Sequence, residues 1–120
     1  MSSDTYMRTG RNKFEIKKRN LNDAIDILNE YCDEELNEEN DKNLLEKLFE
    51  KIGWTYKPGS IYYNDFGKLW WYEEIFDQLA PYVKSRSYIT IFDDVYDNVY
   101  RWRFINGKME VREGLRKVIW

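Results

Sequence analysis

The sequence predicts an α+β fold, with about three helices packed on a C-terminal antiparallel β-meander in a single domain of 120 residues. Three observations predict it. Apolar residues recur at the helical period in three separate stretches, and the last forty residues alternate apolar with polar around an Asn-Gly pair. The length suits one hydrophobic core and is short for two.

The elements follow in order. Residues 13–18 alternate, with Phe14 and Ile16 on one side, and read as a short edge strand. Asn20 or Asn22 caps a first helix running to about residue 31, because Leu21, Ala24, Ile25 and Leu28 share a face while Asp23, Asp26 and Glu30 interleave. Cys32 continues the apolar positions and is expected as a buried free thiol. Leu44, Leu45, Leu48, Phe49 and Ile52 form the stripe of a second helix over 42–52, and Gly53 stands at its C-terminal cap.

Pro58-Gly59 marks a turn, after which residues 61–63 read as a short strand. A third helix is expected over about 69–80, with Trp71, Ile75 and Leu79 on one stripe and Tyr72 and Phe76 beside it. Pro81 ends it, and Trp70 is left to the flank or the outside. The meander comprises residues 88–92, 100–104 and 108–112, with Asn106-Gly107 as a tight hairpin. In its middle strand Tyr100, Trp102 and Phe104 share one face, and Val99, Arg101, Arg103 and Ile105 share the other. The chain thus divides into a basic segment (1–20), an acidic helical part (21–53) and a helix with the meander (60–112).

A net charge of −3 hides strong segregation. Residues 21–50 carry eleven acidic and two basic side chains, whereas residues 1–20 and 101–120 each carry six basic and two acidic ones. Such separation creates local fields that steer partners. The aromatic share of 18% exceeds what a minimal core of this size needs. A lone cysteine, with neither an apolar leader nor a membrane-length apolar run, leads to the expectation of a cytoplasmic protein without a membrane partner.

The chain has no histidine, so the usual general base and the familiar Ser–His and Cys–His arrangements are absent. One cysteine cannot build a standard zinc site, and singly scattered glycines form no phosphate-cradling loop. Glu73, Glu74 and Asp77, or Asp93, Asp94 and Asp97, are the remaining carboxylate groups, and they read as solvated surface. The expectation is a protein without catalytic residues, cofactor or metal.

Binding then has two candidate surfaces. The acidic stretch Asp33, Glu34, Glu35, Glu38, Glu39 and Asp41 either stays solvated or imitates the charge density of a nucleic-acid backbone. Alternatively Arg101 and Arg103 contact nucleic acid directly, with Tyr88 or Trp102 as stacking platforms and Arg11, Lys13, Lys17, Lys18 and Arg19 on phosphates. The acidic total speaks against the second reading, and the rings of the middle strand are first expected to receive the helices.

Leu-Ala-Pro-Tyr-Val (79–83), Ser-Tyr-Ile (87–89) and Tyr-Arg-Trp-Arg-Phe-Ile-Asn-Gly-Lys (100–108) resemble small α+β proteins carried by phages and other mobile elements, over about residues 60–111. That resemblance implies a setting in which small acidic proteins inhibit host defence, anti-CRISPR proteins among them. The expectation is therefore a non-enzymatic inhibitor that binds a host defence nuclease complex through the acidic stretch, Trp70, Arg101 and Arg103. The alternative is a small regulatory nucleic-acid-binding module. A homodimer is compatible with either.

Overall fold

In the computed structural model, which describes residues 7–32, 44–63, 69–93 and 98–112, the helical periodicities become α1 (Leu21–Tyr31), α2 (Leu44–Lys51) and α3 (Leu69–Leu79). The buried residues are Ala24 and Leu28 on α1, Leu44, Leu45, Leu48 and Phe49 on α2, and Tyr72, Ile75, Phe76 and Leu79 on α3, whereas Leu21 of the expected α1 stripe is exposed and Trp71 of the expected α3 stripe is half-buried. Gly53 follows α2 at φ +95°, the left-handed conformation that ends a helix. A 3-10 turn at Ala80–Tyr82 carries Pro81 past the end of α3. None of the described helices is long and apolar enough to cross a membrane.

The strands depart from expectation at the N-terminal end. Strand β1 is Met7–Lys13, so the alternating run at 13–18 is not the edge strand that the sequence suggests. Phe14 and Ile16 are nonetheless buried, and Ile16 makes an isolated antiparallel bridge with Val83. Strands β2 (Trp54–Lys57) and β3 (Ser60–Tyr63) form a separate hairpin around Pro58-Gly59. Strands β4 (Ser87–Asp93), β5 (Asn98–Ile105) and β6 (Lys108–Arg112) form the meander, and β1 pairs antiparallel with β4, giving the order β1-β4-β5-β6. The meander is thus completed by a strand from the other end of the chain.

Asn106 (φ +51°) and Gly107 (φ +81°) both adopt positive φ between the paired Ile105 and Lys108, which is the geometry expected of an Asn-Gly hairpin. The register shifts between Thr9 and Asn12, marking a bulge in β1. Gly10 lies there because a Cβ at this position would run into the Phe92 ring. The bulge turns two β1 side chains toward β3: Asn12 Oδ1 accepts the Ile61 N–H at 2.9 Å, and Thr9 Oγ1 accepts the Tyr63 N–H at 2.8 Å.

One residue joins the layers. Phe14 exchanges two main-chain hydrogen bonds with Gly59, its N–H donating at 3.3 Å and its carbonyl accepting at 3.0 Å. Its fully buried ring meets Phe49 of α2, Tyr56 of β2, Phe76 of α3 and Phe104 of β5 edge-on, with centroids 5.4–6.2 Å apart. Such pairs contribute roughly 0.5–1.5 kcal/mol each beyond area burial. Tyr56 also accepts the Ile16 N–H at 3.0 Å, and burial pushes its phenol above the ordinary value.

The cluster continues through Trp54, which packs with Tyr72, Phe76 and Trp102. The indole N–H groups of Trp54 and Trp102 have no hydrogen-bond partner among the described residues.

Replacing Phe14 by Ala is expected to cost about 3–5 kcal/mol in denaturant unfolding, the range for a buried aromatic truncation. Leu21→Ala, at a site 40% exposed, should stay within about 0.5 kcal/mol.

Candidate functional site

Helices α2 and α3 and the β2–β3 hairpin pack against the Trp102 and Phe104 face of the four-stranded sheet, with α1 on α2 and α3. The opposite face is formed by the alternate residues of each strand, of which Thr90 and Val99 are buried. Register fixes their identity. Arg8 stands opposite Phe92 and Lys13 opposite Tyr88, Tyr88 opposite Arg103, and Thr90 opposite Arg101. Arg101 in turn faces Arg112, Arg103 faces Glu110, and Ile105 faces Lys108. Glu110 is the one carboxylate that these pairings put on this face among the described residues, and every other charge there is cationic.

Glu110 neutralises little. It lies 3.8 Å from Arg103 and 3.7 Å from Arg112, and all three side chains are largely open to solvent, a situation in which an ion pair contributes at most about 1 kcal/mol. Two guanidinium groups also lie against rings: Arg8 over Phe92 at 4.6 Å and Arg101 over Tyr88 at 5.3 Å from the ring centroids. Arg101 is half-buried, and burial is the main cause lowering its pKa. Tyr88 acts in the opposite direction, while the neighbouring Arg103 and Arg11 lower it further. A guanidinium stays charged regardless, so crowding of like charge here favours whatever brings negative charge to it.

At the corner where β4 begins and β5 ends the face deepens into a cleft of ≈ 510 Å³. Arg86, Arg101 and Arg103 line it with Tyr88, and the serines at 85 and 87 and Asn106 add polar groups. No carboxylate among the described residues belongs to this lining. Its rim is a turn in which the Ser87 N–H donates to the Lys84 carbonyl at 3.2 Å and Arg86 adopts φ +75°. A positive φ at the third position of a turn is the place for glycine. An arginine there is strained by about 1–2 kcal/mol, and its N–H is bonded to the Phe104 carbonyl at 2.8 Å. Beside the cleft, Thr90 is 2% exposed and its hydroxyl has no hydrogen-bond partner among the described residues.

The sequence-derived candidates separate accordingly. Arg101 and Arg103 lie together on this face, with Lys13 on β1 across β4 from them and Arg11 close enough to act on Arg101. Trp102 is fully buried against Phe76 and Trp54, so it is a core residue and not a stacking platform. Lys17 donates to the Pro81 carbonyl at 3.2 Å, and Lys18 and Arg19 belong to the short turn before α1. Cys32 is half-buried at the end of α1, not fully enclosed, with its thiol 3.9 Å from the Leu48 carbonyl.

The acidic residues Asp33, Glu34, Glu35, Glu38, Glu39 and Asp41 lie outside the described residues, as do Asp94 and Asp97 and the side chain of Trp70. No cluster of three metal-ligating side chains occurs among the described residues. Arg8, Arg86, Lys108 and Arg112 were not singled out by sequence. The Asn-Gly register alone could have found Arg112, because a two-residue hairpin loop places it opposite Arg101.

Arg86→Gly should remove the turn strain and raise stability by about 1 kcal/mol in thermal or denaturant unfolding. A loss of stability would mean that the arginine side chain holds the turn together. No family model matches the chain, and comparison with the curated proteins and with the solved structures also finds no match.

Proposed function

We propose that the chain is a non-enzymatic binding protein whose working surface is the outer face of the four-stranded sheet, and that this face binds single-stranded nucleic acid. The observation that carries the reading is the concentration of Arg8, Lys13, Arg101, Arg103, Lys108 and Arg112 on one face with a single carboxylate among them. The half-buried rings of Tyr88 and Phe92 between the cations supply what a backbone-neutralising surface alone lacks. Single strands are held by phosphate contacts to Lys and Arg together with base stacking on aromatic side chains, an arrangement that tolerates many sequences.

The overall negative charge is compatible with this, because the acid is carried elsewhere. Asp23, Asp26 and Glu30 on α1 and Glu74 and Asp77 on α3 belong to the helical layer, on the other side of the core. A molecule so polarised is turned by the field of a polyanion so that its basic face approaches first.

Inhibition of a host defence nuclease remains a second reading, favoured by the eleven acidic side chains within residues 21–50. The two readings differ in which residues matter. Binding of a fluorescent single-stranded oligonucleotide should weaken with salt. If Arg101, Arg103, Lys108 and Arg112 each neutralise a phosphate, the slope of log K against log salt is about −3. Arg101→Ala with Arg103→Ala should weaken it at least tenfold and flatten the slope by about 1.4, while Gln at 34, 35, 38 and 39 should not weaken it. Failure of the wild-type protein to bind at low salt would contradict the proposal. Capture of a nuclease that depends on those four glutamates and not on the two arginines would favour the inhibitor.

A further inference from the structure

The corner cleft differs from the rest of the cationic face in three ways. It is concave, at ≈ 510 Å³, large enough for one nucleotide and too small for several. It concentrates three guanidinium groups, Arg86, Arg101 and Arg103, and its lining among the described residues holds no carboxylate, Glu110 standing beside Arg103 at 3.8 Å. It also lies between two turns, Lys84–Ser87 and Asn106-Gly107, where β4 begins and β5 ends. A strand laid along the sheet therefore reaches the edge of the platform there.

We propose that this cleft holds a nucleotide bearing a terminal phosphate monoester, with the phosphate on Arg86, Arg101 and Arg103 and the base against Tyr88. The inference rests on the reading of the sheet face as a nucleic-acid surface, and it specifies the end of the strand as what the cleft recognises. An internal phosphodiester carries one charge and leaves two bridging oxygens esterified. A monoester carries close to two charges at neutral pH and presents three acceptor oxygens. Three guanidinium forks match the second better than the first, since each can pair with two oxygens at once. The hydroxyl of the exposed Ser85 and the Asn106 amide are the kind of neutral groups that orient a sugar or phosphate.

The position of Arg86 adds an independent observation. Its backbone sits in a conformation at φ +75° that glycine would occupy without strain, yet the chain presents a cation there, on the rim of the cleft. Strain of this kind is retained where a side chain has work to do. Glycine at this position is the appropriate probe, because it relaxes the backbone while removing the guanidinium.

The experiment compares one short DNA strand carrying a 5′-phosphate, a 3′-phosphate or hydroxyls at both ends, by fluorescence anisotropy with the wild-type protein and Arg86→Gly. Adenosine monophosphate and adenosine are titrated in parallel by NMR, and a thermal melt of each protein reports folding. The proposal expects one phosphate-ended strand to bind at least tenfold tighter than the hydroxyl-ended strand. Arg86→Gly should abolish that ratio while retaining the residual affinity and an equal or higher melting temperature.

Binding of the monophosphate but not of adenosine, lost in Arg86→Gly, would support the cleft with a free nucleotide as its source. Equal affinity for all three strands with no monophosphate binding would overturn the cleft and leave the sheet face standing. No binding of any strand or nucleotide would overturn both. A phosphoserine peptide bound as tightly as the phosphorylated strand would overturn the nucleotide assignment.

Discussion

The ring of Phe14 is the contact on which the rest of the structure depends. It touches α2, α3, β2 and β5 at once, and its main chain ties the end of β1 to the β2–β3 turn at Gly59. A single aromatic side chain, buried just after β1 leaves the sheet, thereby fixes which side of the sheet the helices and the small hairpin cover. Once that side is committed to Trp102, Phe104, Ile89 and Ile91, alternation along each strand leaves the other side to Arg101 and Arg103. The cationic face is a consequence of how the core closes.

The same closure explains why the net charge describes neither face of the molecule. Charge is segregated by layer, with carboxylates along the exposed surfaces of α1 and α3 and cations across the outer sheet face. A polyanion responds to the face it meets within about a Debye length, roughly 8–10 Å at physiological ionic strength, and not to the sum over the molecule. Crowding of Arg101 by Arg103 and Arg11 strengthens the point, because like charges held together by the sheet are relieved when an anion binds.

Much of the fold was legible in the sequence, and the failures have specific causes. The three helices were found because their stripes are long and strictly periodic, and the Asn106-Gly107 hairpin because its turn chemistry admits few alternatives. Strand β1 was missed because Met-Arg-Thr-Gly-Arg-Asn-Lys has no apolar alternation. Its Thr9 and Asn12 side chains are spent as acceptors for β3 main-chain N–H groups, and its bulge breaks the period. Strand β2 is four residues long and follows directly on Gly53, too short to register as a pattern. Parity along β5 correctly separated Arg101 and Arg103 from the buried rings, but parity cannot say that Arg8 and Lys13 join the same face, across β4, from a strand some ninety residues earlier. Arg86 was invisible because a positive φ at an arginine leaves no compositional trace.

The claim that the outer sheet face is the working surface is tested most directly by titrating the isotope-labelled protein with a short single-stranded oligonucleotide and mapping amide shift changes. The account predicts changes concentrated at Tyr88, Thr90, Arg101, Arg103 and the Arg86 turn, with α1 and α2 unmoved. Changes confined to the helical layer, or none at saturating oligonucleotide, would contradict it.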